Sequence, residues 1–569
     1  MMLSDILPHL RPKLISSLRG YTRNDFTADL TAGIIVGIVA LPLAIAFAIA
    51  SGVSPDKGLV TAVIAGFLIS ALGGSSVQIG GPTGAFVVIL YEVIQLHGVH
   101  GLLVATFIAG AMLVAMGFAG LGSAIKFIPH PVIVGFTTGI AVIIFSSQVK
   151  DVLGLRMGAV PAGFIEKWGA YAAHIATANP YSLAIASGSI VIILLWQRFV
   201  KKIPGSLVAL VLSTAVVMIF QLPVETIGSR FGAIPSSLPA PALPEGISFA
   251  MIRQVFPSAV TIALLGGIEA LLSAVVADGM IGGKHRSNME LVAQGIANLV
   301  VPLFGGIPAT GAIARTATNI RNGARTPVAG IIHAFVLLLI MYVFGSLARL
   351  IPMATLGAIL LVVAYNMSEW RSFAGLFRST RGDTLVLVIT FMLTVLIDLT
   401  EAIQVGILLS AFLFVRRMAD VTNVGVLKRE FTDSDEEEEN DPQSIRSRII
   451  PDGVEVYEIK GPFFFGAAYK FKEAMNTVEK QPRICIIRMR NVPAIDATGL
   501  HALKEVIAHN KKQQTLTIFS AVRAQPLVAM EQAGIIALVG EDNFCYDIDA
   551  ALHRATLLLA TSSNSIHAE

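Results

Sequence analysis

Residues 305–324 read GGIPATGAIARTATNIRNGA. Apolar runs long enough to cross a membrane surround this stretch, yet it cannot be a lipid-facing helix itself. Gly305, Gly306 and Pro308 interrupt helical backbone, and Thr310, Thr316, Thr318 and Asn319 make the stretch polar. Arg315 adds a full charge. Non-helical backbone at membrane depth is tolerated only where protein or a water-filled cavity covers it, and an intramembrane Arg marks a functional site. The residues predict an extended lead-in over 307–309 feeding a half-helix from about residue 310. The free N–H groups and positive dipole end of that helix would face an anion. A re-entrant turn that only closes a helix bundle would use the same residues.

The rest of the chain fits a membrane protein. Of 569 residues, 54% are hydrophobic and 14% charged, with mean hydropathy +0.73. Soluble domains carry about 25% charged residues. A net charge of +3 gives no basis for a nucleic-acid partner. The two cysteines, Cys485 and Cys545, suggest neither a disulfide framework nor a metal cluster. The basic N-terminus lacks a small-residue cleavage site, so it does not read as a cleavable signal peptide.

Fourteen crossings are predicted. They lie near residues 30–51 (interrupted by Pro42), 57–72, 83–95, 101–118, 128–147, 181–196 and 205–221, then 256–278, 291–304, 310–324, 327–347, 353–367, 384–398 and 403–416. Positively charged residues collect in alternate loops, which puts both termini in the cytoplasm. Lys126, Lys201, Lys202, Lys284, Arg286, Arg325 and Arg381 follow that rule. Lys150, Arg156, Lys167, Arg230 and Arg349 fall on the expected outer side.

The membrane part reads as a duplication. PTGAF at 82–86 and PATGAI at 308–313 share a phrase. Aligning Thr83 with Thr310 gives an offset of 227 (310 − 83). Gly52 and Gly279 close their spans at the same offset (279 − 52). Seven crossings per copy make the copies inverted. Paired, Gly/Pro-interrupted segments in the two halves of a transporter point to its binding site. At this offset Arg315 corresponds to Val88 and Glu269 to Pro42, so only the second copy carries charge there.

Glu269 lies mid-span in TIALLGGIEALLSAVV. Beside Arg315 it could exchange a proton as an anion arrives, coupling H⁺ to uptake. A static Glu–Arg pair and a Na⁺ site shared with Ser273, one turn on, are the other readings. The backbone N–H groups of Gly84, Ala85, Gly311 and Ala312 would form two opposed cradles, with Arg315 adding charge. His130 and His333 read as structural. No P-loop, metal-spacing cluster or nucleophile–base arrangement is present, so nothing supports an enzyme.

After Arg417 the composition changes. FTDSDEEEENDP reads as a solvated acidic linker. From about residue 451, strand and helix patterns alternate, which predicts a small soluble α/β domain. GVEVYEIKGPFFF reads as a hairpin or paired strands. The domains are accordingly 1–26 (cytoplasmic segment), 27–221 (first repeat), 222–249 (outer linker), 250–418 (second repeat), 419–450 (acidic linker), 451–560 (α/β domain) and 561–569 (tail).

These motifs resemble the sulfate permease family, solute carrier family 26. The resemblance is carried by LPLAIAFAIASGV, GGPTGAFVVIL, GGIEALLSAVVADGMIGGKHRSNMELVAQGIAN and PATGAIARTATNIRNGART. NVPAIDATGL at 491–500 resembles a STAS-domain signature. The resemblance implies a polytopic α-helical membrane protein of fourteen spans, built as a seven-plus-seven inverted repeat with two half-helices, and a C-terminal soluble α/β STAS domain. It implies a homodimer in a bacterial inner membrane, with an elevator movement of spans 1–4 and 8–11 against spans 5–7 and 12–14. It places Phe47, Thr83, Gly84, Ala85, Phe86, Gly311, Ala312, Ile313, Ala314 and Arg315 around a small anion. It places Glu269 at the position linked to proton coupling, with H⁺ favoured over Na⁺ and no other cofactor. Ala314 replaces a Ser common in the family, which weakens a sulfate-type site. The phrases KHRSNMELVAQGIAN and AYNMSEW look most like bacterial C4-dicarboxylate-uptake members, so proton-coupled dicarboxylate uptake is the leading expectation. Bicarbonate or sulfate symport, an uncoupled exchanger or channel, and a membrane sensor are the alternatives. Thr498 sits where related soluble regulators are phosphorylated, but it also suits a helix N-cap. A cytosolic protein could dock on the STAS domain.

Overall fold

The computed structural model describes residues 10–123, 129–158, 160–161, 163–199, 204–232, 237–244, 248–397, 399–421, 423–426, 448–464, 468, 471 and 482–566. The acidic run, Lys126, Lys201 and Lys202 lie outside the described residues. Contacts divide the chain into two units, Met1–Ser410 and Ala411–Glu569.

The helices of the membrane part are α1 Arg23–Ala50, α2 Pro55–Leu72, α3 Gly84–Phe118, α4 His130–Ser147, α5 Phe164–His174, α6 Pro180–Phe199 and α7 Gly205–Phe220. The second half contributes α8 Phe249–Ile281, α9 Ser287–Val300, α10 Ile313–Arg321, α11 Val328–Phe344, α12 Met353–Met367, α13 Arg381–Leu396 and α14 Leu399–Val421. Two short strands, β1 Gly80–Gly81 and β2 Thr310–Gly311, precede α3 and α10. Gly98 (φ +67°) bends α3 into two segments. With that bend, and with α5 as a short extra helix, these helices supply the fourteen expected segments.

Pro42 does not break the first span. It lies inside a continuous α1, which Thr22 and Asp25 start with a reciprocal capping box. The N–H that Pro42 lacks is tolerated because neighbouring helices cover it. The half-helix of the second repeat begins at Ile313 rather than 310, because Thr310 and Gly311 are spent on strand pairing.

The two repeats interlock. Helix α3 packs on α8 and α9, while α11 packs on α1 and α2. Lipid and apolar side chains attract a helix about equally, so such contacts rest on close backbone approach. At the α3–α9 crossing a Cβ on Gly110 would lie 2.8 Å from the Gly295 carbonyl oxygen, and one on Gly295 would lie 2.6 Å from that of Gly110. Any larger residue would push the helices apart. Helices α4, α6, α7, α12 and α13 pack mainly on one another.

The N-terminal segment meets two of the basic loops of the second repeat. Lys13 donates to the Lys284 carbonyl (3.1 Å), Arg286 to that of Arg11 (2.8 Å), and Arg325 pairs with Asp25 (2.9 Å).

The second unit holds a five-stranded sheet in the order β3 Asn423–Val426, β4 Val454–Lys460, β5 Ile484–Asn491, β6 Leu516–Ser520 and β7 Phe544–Cys545. Only β3–β4 is antiparallel. The stretch from residue 453 is therefore one strand and not a hairpin. Its antiparallel partner is β3, which lies within the stretch read as a linker. Helix α15 Ala497–Lys512 follows β5. Asp496 caps it, accepting from the Gly499 N–H (2.7 Å), so Thr498 is not the cap and stands exposed in the first turn. Aspartate wins because its carboxylate also favours the positive helix end.

Cys485 is fully buried in β5, and burial pushes its thiol up to about 12. At pH 8 only about one thiol in 10⁴ would then be the reactive thiolate. Iodoacetamide is expected to leave Cys485 unmodified in the native protein and to label it after unfolding. Native-state labelling at the rate of a free thiol would contradict that packing.

Candidate anion site

The two motifs meet in space. Strand β1 pairs antiparallel with β2, Gly80 opposite Gly311 and Gly81 opposite Thr310. The Ala312 N–H extends the ladder to the Ile79 carbonyl (2.8 Å). Helices α3 and α10 start from opposite ends of this small ladder. Buried polar residues hold the ladder in place. Asn298 accepts from the Ala309 N–H (2.9 Å) and donates to its carbonyl (2.8 Å). Thr61 bonds both backbone groups of Ile307, and Thr310 donates to the Gly266 carbonyl (2.7 Å). Asn319 donates to Val77, and Thr316 accepts from the Ile79 N–H. These groups replace the water that an extended backbone would otherwise need.

Neither half-helix is capped by a side chain. Ala312, the N-cap of α10, has no group to offer. Thr83, the N-cap of α3, turns its hydroxyl away and donates to Glu269 Oε2 at 2.7 Å. The first-turn N–H groups of Gly84, Ala85 and Phe86, and of Ile313, Ala314 and Arg315, are left for another acceptor. Helix starts in this condition attract anions.

Arg315 is the third residue of α10, and its counterpart by helix start is Phe86, not Val88. Its side chain is 2% exposed and crosses to the other repeat. One guanidinium nitrogen donates to the Pro82 carbonyl, and Nη1 is buried without a partner. Gly81 makes room for it: φ is +148°, and a Cβ there would lie 2.6 Å from Nη1. Arg315 and Glu269 do not pair directly. They grip adjacent residues, Pro82 and Thr83, at the start of the first half-helix.

The other expected residues divide into two groups. Phe47 stands at the start of α3: a Cβ on Gly84 would lie 3.3 Å from its ring, 2.7 Å from Met367 Sδ and 3.5 Å from Ile144 Cδ1. Phe86 points away, toward Gly266 of α8, and offers only its backbone. Ile313 and Ala314 are exposed at the start of α10. Ser273 is buried and bonds Thr316 (3.1 Å), which ties α8 to α10. Among the described residues no group of three or more His, Cys, Asp or Glu could hold a metal.

Sequence reasoning missed Met367 and Ile144, whose apolar identity carries no signal. It also missed Gln78, whose amide donates to the Ala270 carbonyl (3.2 Å). A Cβ on Gly311 would lie 1.7 Å from that amide nitrogen, so Gln78 fills the space under the ladder. An Asn inside an apolar run was the available signal for Asn298; Gln78 lies in the Gly/Ser-rich GGSSVQIGGP, where a polar residue carries none.

Known proteins resemble this chain over most of its length. Residues 26–390 match the sulfate permease family, and residues 447–551 match the STAS domain. The chain belongs to the sulfate permease family. The putative sulfate transporter YvdB of Bacillus subtilis is 43% identical over 87% of this chain and 91% of its own length. The bicarbonate transporter BicA of Picosynechococcus is 31% identical over 89% of this chain and 90% of its own. The transmembrane domain of a cyanobacterium bicarbonate transporter BicA superposes with TM-score 0.60 at 32% identity, covering 67% of this chain and 98% of that one. Murine Solute Carrier 26 family member A9, in its inward-facing state, shares the fold across 97% of this chain and 95% of its own, with TM-score 0.86 at 19% identity. This sulfate permease family member is a multi-pass anion transporter with a C-terminal STAS domain, and it is not an enzyme.

Proposed function

We propose that the chain is a secondary transporter of a small inorganic oxyanion, bicarbonate or sulfate, coupled to protons through Glu269. The observation that carries this reading is the pair of uncapped helix starts with the unpartnered Nη1 of Arg315. Together they make one compact positive focus. A C4-dicarboxylate carries two separated charges, and no second unpaired cation stands at these helix starts among the described residues. The relatives' names also favour sulfate or bicarbonate over the dicarboxylate first expected. The homodimer, the bacterial inner membrane with cytoplasmic termini, and the elevator movement belong to the same proposal. Ile144 and Met367, from the helices expected to form the static half, would part from Gly84 in that movement.

Glu269 suits coupling because its Oε2 accepts the Thr83 hydroxyl hydrogen when ionised. Protonation would weaken that bond at the very start of α3. Glu269→Gln keeps an acceptor for Thr83 and removes the titration. Proteoliposomes with an inward proton gradient are expected to accumulate labelled bicarbonate or sulfate above equilibrium, and Glu269→Gln to reduce this to equilibration. Accumulation that follows a Na⁺ gradient and ignores pH would overturn the proton coupling. Accumulation of succinate alone would overturn the choice of substrate.

A further inference from the structure

We propose that Lys167, at the end of the molecule where the first span finishes, forms a second anion-binding site, which loads the half-helix site from that side. Lys167 lies in α5 and lines a cavity of about 300 Å³. Its residue is only 3% exposed. Its ammonium makes one hydrogen bond, to Ser147 Oγ at 3.2 Å, and no carboxylate pairs with it among the described residues. A buried ammonium has three donors and a full charge to compensate. Left alone it costs several kcal/mol, roughly, so such groups are paired or bind a counter-ion.

The other charges of the cavity do not supply that partner. Arg230 is held by Asp151 (2.6 Å) and Glu225. Lys150 donates to the Gly158 carbonyl (2.9 Å). Glu92, the remaining acid of the lining, makes no ion pair with Lys167. The space beside Lys167 therefore suits a small anion, with buried Gln148 also lining the cavity.

Its position gives the site a role. The cavity touches Ile49 and Ala50 at the end of α1, on the outer face under the orientation expected from the loop charges. It also touches Val87 and Ile143. Val87 follows the start of α3, and Ile143 adjoins Ile144, which packs over Gly84. An apolar wall that includes Val87 and Ile143 thus lies between the cavity of Lys167 and the uncapped start of α3. An anion held at Lys167 would be next to the half-helix site once that wall parts. Only this role in the pathway rests on the anion-transport reading; binding at Lys167 does not.

The test uses the full chain carrying Arg315→Gln, which disables the half-helix site. Sodium sulfate and sodium bicarbonate, compared with gluconate at equal ionic strength, are expected to raise its Tm by mass action. Adding Lys167→Gln should remove the rise, and Lys167→Arg should keep it. Ser147→Asp, which puts a carboxylate beside the ammonium, should also remove the anion response and raise the anion-free Tm. A rise that survives Lys167→Gln or Ser147→Asp, or its absence in Arg315→Gln alone, would overturn the site. In proteoliposomes Lys167→Gln should raise KM from the cavity side about tenfold, equivalent to ~1.4 kcal/mol, with Vmax unchanged. An unchanged KM would overturn the loading role. Stabilisation at Lys167 without transport of either anion would refute the proposed function and leave this site standing.

Discussion

Arg315→Gln is expected to reduce anion uptake about 100-fold while leaving a folded protein. The guanidinium does two things that glutamine cannot do together. It donates to the Pro82 carbonyl across the repeat boundary, and it leaves Nη1 buried and unpaired beside the helix starts. A hydrogen bond to a charged group contributes about 1.5–3 kcal/mol, and a stranded buried carbonyl costs about 1–3 kcal/mol. At about 1.4 kcal/mol per decade, the first alone gives roughly 10–100-fold. Arg315→Lys keeps the charge but offers a compact ammonium in place of a planar fork. It can reach Pro82 or the anion, not both, and should fall between wild type and Gln. Initial rates of uptake against substrate concentration separate the effects, with KM rising first. Wild-type KM in Arg315→Gln would mean that the guanidinium is structural.

Gly81→Ala is expected to be nearly as damaging, although the added group is one methyl. Backbone at φ +148° is glycine territory, and strain there costs an L-residue about 1–3 kcal/mol. The new Cβ would also lie 2.6 Å from Arg315 Nη1, and overpacking of this kind costs about 1–3 kcal/mol. The guanidinium must move, so transport should fail along with a lowered Tm. Gly98→Ala is the control. Gly98 also has positive φ, but a Cβ there meets nothing within 4 Å. At ψ −177° it is strained for an L-residue as Gly81 is, so it should lose about 1–3 kcal/mol of stability and keep its anion KM. Equal effects of the two substitutions on KM would show that strain alone, not the seat of Arg315, matters.

Much of this site was legible in the sequence because the membrane makes polarity expensive. A Gly/Pro-broken stretch with an Arg has few places to go in a bilayer, and its echo at 82–86 named its partner. The strand pairing of Gly80–Gly81 with Thr310–Gly311 was not legible. Glycine-rich lead-ins show no alternation, and two-residue strands leave no period. That pairing shifted the second helix start to Ile313 and changed the counterpart of Arg315 to Phe86. The adjacency of Glu269 and Arg315 was half right: both act on one dipeptide, Pro82-Thr83, without touching each other. Met367, Ile144 and Gln78 depend on long-range packing, which no local pattern encodes. In the STAS domain, the preference for Asp496 over Thr498 as a cap turns on one hydrogen bond.

The most direct measurement is the position of the bound anion. A structure would be determined with whichever of sulfate or bicarbonate the uptake panel selects, or its heavy-atom analogue. Density is expected between the two helix starts, within hydrogen-bond distance of first-turn N–H groups from both 84–86 and 313–315 and of Arg315 Nη1. An anion bound to one helix start alone, or bound elsewhere with Arg315 Nη1 still unpartnered, would contradict a site shared by the two repeats.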